Sequence, residues 1–203
     1  MKINIINTKF KLIIKEFLPP ILLKWLKKST GNSDSYESYE DALKHADGYQ
    51  NKTLSKVVVA KGIKFAEKIS ENKELDLASL WTLTGVAASL NSKKLTVIDF
   101  GGAAGTHFFI TKSIISKDIL IDWRIVETTS MVNEAKKQGL ENSELKFFDS
   151  LEAASENSEI DLVFASCSIN YMPHPYDTLK SLASINAKKL IIARTPITDS
   201  PKV

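Results

Sequence analysis

A short apolar strand that runs into a turn of very small residues is the feature that most constrains the fold of this chain. Residues 97–106 read VIDFGGAAGT, so Asp99 and Phe100 lead directly into the turn GGAAG at 101–105. Small residues allow a backbone to approach another group closely, and a helix after such a turn presents amide groups that lack intrahelical acceptors. The pattern predicts a strand–turn–helix corner that binds a nucleotide cofactor.

Length, charge and cysteine content narrow the class of protein. The 203 residues, 43% of them hydrophobic, can bury one substantial core, which favours one α/β domain with an N-terminal extension. Residues 1–28 hold seven lysines and one glutamate, a net +6, which leaves −3 on the rest of a chain whose total is +3. This asymmetry argues against a nucleic-acid-binding surface across the whole protein. Cys167 is the only cysteine and the three histidines have no metal-binding spacing, so we expect no disulfide, no metal and a reducing, cytosolic compartment.

The basic N-terminal segment allows two interpretations. Residues 9–28, KFKLIIKEFLPPILLKWLKK, combine apolar clusters with interposed lysines and a central Pro-Pro break. No uninterrupted apolar stretch is long enough for a membrane span, and the charges argue against a secretory signal. The segment either packs on its own domain or lies on the inner face of a membrane with its lysines on anionic headgroups.

Three helices are predicted before residue 92, at 36–49, 53–69 and 75–90, the first ended by Gly48. The predicted apolar faces of the longer two are Leu54, Val58, Gly62, Phe65 and Ile69, and Leu80, Trp81, Leu83, Ala87 and Leu90. We expect residues 1–92 to form a helical extension and lid, with Tyr39, His45 and Tyr49 as lid candidates. Residues 93–203 would form the cofactor-binding domain, the two packed as one compact unit.

Beyond residue 94 the pattern alternates between strands and helices. Strands are predicted at 95–100, 119–126, 145–148, 160–166 and 189–195, and helices at 106–116, 130–138 and 176–187. The alternation predicts an α/β fold with a doubly wound, mostly parallel, Rossmann-like sheet of about five strands. In such a sheet, ligands bind outside the carboxyl ends of the strands.

Polar side chains stand at four consecutive strand ends. Asp99 ends the first strand, Glu127 follows the second, Asp149 and Ser150 follow the third, and SCSINY at 166–171 closes the fourth. Glu127 stands 22 residues after Gly105, where a carboxylate can accept hydrogen bonds from both hydroxyls of a ribose. Each side chain alone also fits a helix cap or a solvated loop. Their coincidence at one edge favours a binding site.

The spacing of the glycines separates two classes of cofactor. Counting G-x-G-x-x-G from Gly101 places Ala103 and Thr106 where a dinucleotide fingerprint needs glycine. The order D-x-G-G-x-x-G, with an acid after the next strand, instead resembles motif I of class I S-adenosylmethionine-dependent methyltransferases. The resemblance implies that the glycine turn contacts the methionine part of the cofactor and that the acid after the second strand binds the ribose. It also implies that the residues after the third strand lie near the adenine. The residues it implies are Asp99, Phe100, Gly101, Gly102, Ala103, Gly105, Glu127, Asp149 and Ser150, with Ser166 and its neighbours near the sulfonium.

A closer resemblance covers most of the chain. The stretches PPIL at 19–22, SYEDA at 38–42, GY at 48–49 and RTP at 194–196, with the motif I turn, look like a family of methyltransferases associated with bacterial surface-polysaccharide gene clusters. That resemblance implies a sugar or glycan-precursor acceptor. Methyltransferases of this class normally add a final pair of strands after the fifth. Here we expect the sheet to lack that pair, which leaves an edge that a second copy of the chain could cover.

Transfer to a sugar hydroxyl is helped by a general base within hydrogen-bond reach. His174, after the fourth strand, is the first candidate and His107 the second, while Tyr171 and Asn170 could orient the acceptor. The structural alternative for His174 is a loop histidine held between two prolines. Cys167 is better explained as a buried thiol at a strand end than as a nucleophile.

Two other classes of function stay open. One is another nucleotide-cofactor enzyme, such as a nicotinamide-dependent sugar-modifying oxidoreductase, which the glycine spacing disfavours. The other is a non-catalytic α/β binding protein that the basic segment attaches to a membrane, which predicts no saturable cofactor binding.

Overall fold

The computed structural model describes residues 36, 38–44, 50–70, 77–90 and 93–196. The chain divides into two compact units, residues 1–42 with 201–203, and residues 43–200. Two stretches with sequence predictions, residues 9–28 and 45–49, lie outside the described residues. The first is the basic segment predicted either to pack on the domain or to lie on a membrane surface. The second contains the helix end at Gly48 and the lid candidates His45 and Tyr49. Helix α1 (Tyr39–Leu43) lies within the predicted helix 36–49, and Ser38 Oγ accepts a hydrogen bond from the Asp41 N–H at 3.1 Å.

Five parallel strands form the centre of the second unit: β1 (Lys94–Phe100), β2 (Leu120–Val126), β3 (Leu145–Phe148), β4 (Ile160–Ser166) and β5 (Ala187–Ala193). Their order across the sheet is β3-β2-β1-β4-β5, so the chain winds outward from β1 first in one direction and then in the other. This confirms the predicted α/β, doubly wound, Rossmann-like fold. Within the described residues, β5 lies at an edge of the sheet.

The helices of this unit are α2 (Lys52–Ser70), α3 (Leu77–Ser89), α4 (Thr106–Ile114), α5 (Thr129–Lys137), α6 (Leu151–Ser155) and α7 (Pro175–Ser184), and a 3₁₀ turn lies at Ile169–Tyr171. Helices α3 to α7 pack on both faces of the sheet and bury its apolar side chains, whereas α2 packs on α4 and α5. Trp123 and Phe164 are fully buried in the core on one face, and Ile98 and Val163 in the core on the other. Parallel strands covered on both faces are buried along their length, and in β4 the six residues from Ile160 to Ala165 are all buried.

Most predicted strand bounds agree with the structure to within one residue, but β5 begins and ends two residues earlier than the predicted 189–195. Ala187 pairs with Ile160, and Lys188 Nζ donates a hydrogen bond to Asp161 Oδ1 at 2.6 Å. These contacts with β4 include in the strand two residues that lie before the predicted apolar run. Helix α6 was absent from the predicted helices because five residues are too few to show a helical period.

The predicted apolar faces of α2 and α3 were wrong at several positions. In α3, Ser79, Thr82 and Ser89 are buried, whereas Leu80 and Trp81 are 49% and 43% exposed. A Cβ added to Gly85 would lie 2.9 Å from Ile191 Cδ1, so α3 approaches the sheet too closely for large side chains. In α2, Gly62 is buried as predicted, and a Cβ there would overlap the Cβ of Ala104 in the glycine turn, but Ser55 and Val59 are buried in place of Leu54 and Val58. Close packing therefore selects small residues where the sequence pattern favoured large ones.

No helix among the described ranges combines the length and the apolar character needed to cross a bilayer.

Candidate functional site

The carboxyl ends of the four strands β1 to β4 border a hollow of about 400 Å³, which we name the carboxyl-edge hollow. β1 and the turn after it contribute Phe100, Gly101 and Ala103, and the third strand end contributes Asp149. Glu127 stands between them, after β2. Because parallel strands end at the same edge, residues far apart in sequence meet here.

The glycines of the turn are required by the protein's own side chains. Gly101 has φ +72°, and a Cβ there would overlap the Cβ of Ser168. A Cβ on Gly102 would lie 2.5 Å from the carboxylate carbon of Asp99. Ala103 has φ +50°, and it lines the hollow together with Gly101. Asp99 of β1 and Ser168, which follows β4, therefore leave space only for glycine at 102 and 101. Gly102 and Gly105 do not line the hollow.

Glu127 connects the end of β2 to the glycine turn. Its Oε1 accepts a hydrogen bond from the Ala103 N–H at 3.1 Å, and its Oε2 accepts one from the Thr128 N–H at 3.0 Å. Burial raises the pKa of the Glu127 carboxyl, the two N–H groups oppose that rise, and the charge of Asp99 adds to it. Each carboxylate oxygen can accept more than one hydrogen bond, so the group can still accept hydroxyls from a ligand in the hollow.

Asp99 lies behind the turn and does not line the hollow. It is fully buried, and its carboxylate accepts hydrogen bonds from His107 Nδ1 at 3.0 Å and from Trp123 Nε1 at 3.1 Å. The His107 ring packs edge-on against Phe164 at a centroid distance of 4.9 Å. These contacts assign Asp99 and His107 to support of the turn, and His107 is not positioned in the hollow as a base.

At the end of β4, the hollow is lined by the neighbours of Ser166 and not by Ser166 itself. Ser166 does not line the hollow, but Cys167 and Ser168 do. Cys167 has φ +54°, and its N–H donates to the Ala193 carbonyl at 3.0 Å, so a left-handed residue turns the chain across the sheet edge. Ser168 is 7% exposed, and its Oγ has no hydrogen-bond partner within the described part of the chain. A buried hydroxyl without a partner costs free energy, which a ligand can recover.

Only one of the four catalytic candidates, Tyr171, lines the hollow. Tyr171 contributes to the lining from the 3₁₀ turn and is 44% exposed, next to Met172. Asn170 and His174 are exposed and lie outside the lining, and His174 is the N-cap residue of α7. The structure therefore brings Tyr171 together with Glu127 in one hollow and does not bring His174 there.

The two residues predicted for the cofactor at the end of β3 have different positions. Asp149 lines the hollow, whereas Ser150 caps α6, its Oγ accepting from the Ala153 N–H at 3.2 Å. The helix cap considered for Asp149 is thus formed by Ser150, whose hydroxyl is already used.

Half of the residues that line the hollow were not named individually as cofactor or catalytic residues: Val58, Val126, Thr128, Cys167, Ser168 and Met172. Thr128, Ser168 and Met172 lie close in sequence to predicted residues, so a wider window around each strand end would have included them. Val58 comes from α2, and nothing in the sequence relates it to the strand ends.

Searches against protein-family models and against curated protein sequences find no match to this chain.

Proposed function

We propose that the carboxyl-edge hollow binds S-adenosylmethionine and that the chain transfers its methyl group to a hydroxyl of a sugar or surface-polysaccharide precursor. The observation that carries the proposal is Glu127, whose carboxylate borders the hollow and accepts a hydrogen bond from Ala103 of the glycine turn. An acid in this position after the second strand accepts the hydroxyls of a ribose in nucleotide-binding sheets.

The residues present fit such a ligand in size and chemistry. A volume of about 400 Å³ falls within the range of small-molecule sites, roughly 300–1,000 Å³. Val58, Val126 and Met172 give apolar walls, and Ser168 offers a buried hydroxyl that lacks a partner among the described residues. Few polar groups on apolar walls are typical of sites for small organic ligands.

Bound S-adenosylmethionine would supply a methyl group carried by a positively charged sulfur, which leaves when a nucleophile attacks the methyl carbon in line. The chain would contribute alignment of the donor and the acceptor. The acceptor oxygen would bond to the methyl carbon as the carbon–sulfur bond breaks, the sulfur would leave as the neutral thioether of S-adenosylhomocysteine, and the hydroxyl proton would pass to solvent, because neither His107 nor His174 lines the hollow. Glu127 would hold the ribose hydroxyls and Asp149 would lie on the adenine side. Tyr171, at the β4 side of the hollow, would orient the acceptor hydroxyl; Asn170 and His174 receive no step in this mechanism.

Calorimetric titration with S-adenosylhomocysteine and, separately, with NAD tests the cofactor class. We expect saturable binding of S-adenosylhomocysteine, weakened by about 1–3 kcal/mol in Glu127→Ala because a charged hydrogen-bond acceptor is lost. Glu152→Ala, which removes an exposed carboxylate on α6, is the matched control and should bind as the natural chain does. Binding of NAD alone, or of neither compound, would contradict the proposal.

A further inference from the structure

A second hollow, of about 510 Å³, lies between α2 and α5. Three lysines line it, Lys52 and Lys56 from α2 and Lys137 from α5, and we name it the lysine groove. The two helices are joined beside it by a hydrogen bond of 2.9 Å between Ser55 Oγ and Ser130 Oγ. Because Ser55 is 1% exposed, this link is protected from water and fixes the spacing of the two walls.

The charges of the three lysines are not balanced by neighbouring acids. None of the three forms an ion pair with another described residue, whereas the adjacent Lys136 pairs with Glu141 at 3.7 Å. Glu134 is the one acidic residue among those that line the groove in the described part of the chain, and its Oε1 accepts a hydrogen bond from Gln138 Nε2 at 2.9 Å. Three ammonium groups and one carboxylate leave the lining with a net positive charge.

The helix ends act differently on the three lysines. Lys52 is the first residue of α2, whose first turn has no acidic residue, and the partial positive charge of that helix N-terminus disfavours it. Lys137 lies in the last turn of α5, where the partial negative charge of the helix C-terminus favours it. The groove therefore keeps a net positive charge, least compensated at Lys52, and a bound anion would compensate it.

We propose that the lysine groove binds the phosphate groups of a phosphorylated ligand. Lysine ammonium groups act as separate point charges, which suits an anion with several oxygens spread along a groove. Asn133 and Ser130 add neutral hydrogen-bonding groups to the same walls. The groove and the carboxyl-edge hollow share no lining residue, although Thr128 of the hollow and Thr129 of the groove are consecutive. Phosphate binding in the groove does not depend on the proposed methyl transfer.

Titration calorimetry with inorganic pyrophosphate on the full chain tests the proposal. We compare K52Q/K56Q with K61Q/K64Q, which removes the same number of exposed lysines from α2 but none that line the groove. The natural chain and K61Q/K64Q should bind pyrophosphate at one saturable site, and K52Q/K56Q should bind at least about tenfold more weakly, since it loses charged hydrogen-bond donors. Equal weakening in the two double variants, or no saturable binding to the natural chain, would overturn the site.

Two further measurements distinguish a soluble phosphorylated ligand from a lipid headgroup and from the cofactor. Binding to vesicles of phosphatidylcholine with phosphatidylglycerol should be equal in the two double variants. Vesicle binding lost in K52Q/K56Q alone, without pyrophosphate binding to the natural chain, would contradict a soluble ligand. Binding of S-adenosylhomocysteine should be unchanged in K52Q/K56Q, so failure of the lysine groove and failure of the proposed function give different results.

Discussion

Replacing Gly101 by alanine should destabilise the protein through two separable effects. The backbone φ of +72° is left-handed, which costs a residue with a Cβ about 1–2 kcal/mol. The new Cβ would also overlap the Cβ of Ser168, and forcing an atom into packed surroundings costs about 1–3 kcal/mol more. Together these effects should lower the free energy of unfolding of Gly101→Ala by about 2–5 kcal/mol.

Gly139 provides a control that isolates the backbone effect. Its φ is +68°, yet a Cβ added there would have nothing within 4 Å. Gly139→Ala should therefore lose only the backbone part, about 1–2 kcal/mol. Urea unfolding of both variants, read from the midpoint at unchanged slope, measures the difference.

A second variant tests whether Ser168 is the colliding residue. Ser168→Gly removes the overlapping Cβ, so adding it to Gly101→Ala should recover about 1–3 kcal/mol relative to the sum of the single changes. Equal losses for Gly101→Ala and Gly139→Ala, or additive losses in the double variant, would show that Ser168 does not pack against the glycine turn.

Three further results follow from the charged groups. Asp99→Ala should lower the free energy of unfolding by about 3–5 kcal/mol because buried donors lose their acceptor. Asp149→Ala, at an exposed residue, should change the same free energy by less than about 0.5 kcal/mol. Similar losses for the two variants in urea unfolding would contradict the buried network. Since the pKa of Glu127 is raised in the folded protein above its ordinary 4.5, the natural chain should lose stability relative to Glu127→Gln as pH rises through the raised pKa. A pH-independent difference between the two would show that the carboxyl does not titrate abnormally. Burial acts to raise the pKa of Asp122, but hydrogen bonds from Arg124 and Lys146 hold it below its ordinary 3.8; Asp122→Asn should therefore cost stability near neutral pH, with the cost fading as pH falls through the lowered pKa. A cost that persists in acid would refute that ion pair.

The sequence predicted the sheet and its strand ends because their patterns are local. Buried parallel strands are continuous apolar runs, and Asp99, Glu127 and Asp149 interrupt the pattern where each run ends. The alternation of strands and helices then leaves few topologies, and all of them place these ends at one edge.

The buried faces of the helices and the roles of the site residues depend on distances between elements, which no local sequence pattern contains. Large residues of α3 were expected inside, yet Ser79 and Thr82 are buried because the helix lies close to the sheet. Asp99 was expected at the cofactor, but its partners are His107 and Trp123, the second of which lies on a neighbouring strand. Ser168 stands out only in the folded chain, where its hydroxyl is buried without a partner among the described residues.

The most direct test of the central claim is a crystal structure of the chain grown with S-adenosylhomocysteine. We predict density for the nucleoside in the carboxyl-edge hollow, with its ribose hydroxyls within hydrogen-bond distance of the Glu127 carboxylate. A structure at saturating ligand in which the nucleoside lies elsewhere, or in which Glu127 contacts only Ala103 and Thr128, would contradict it.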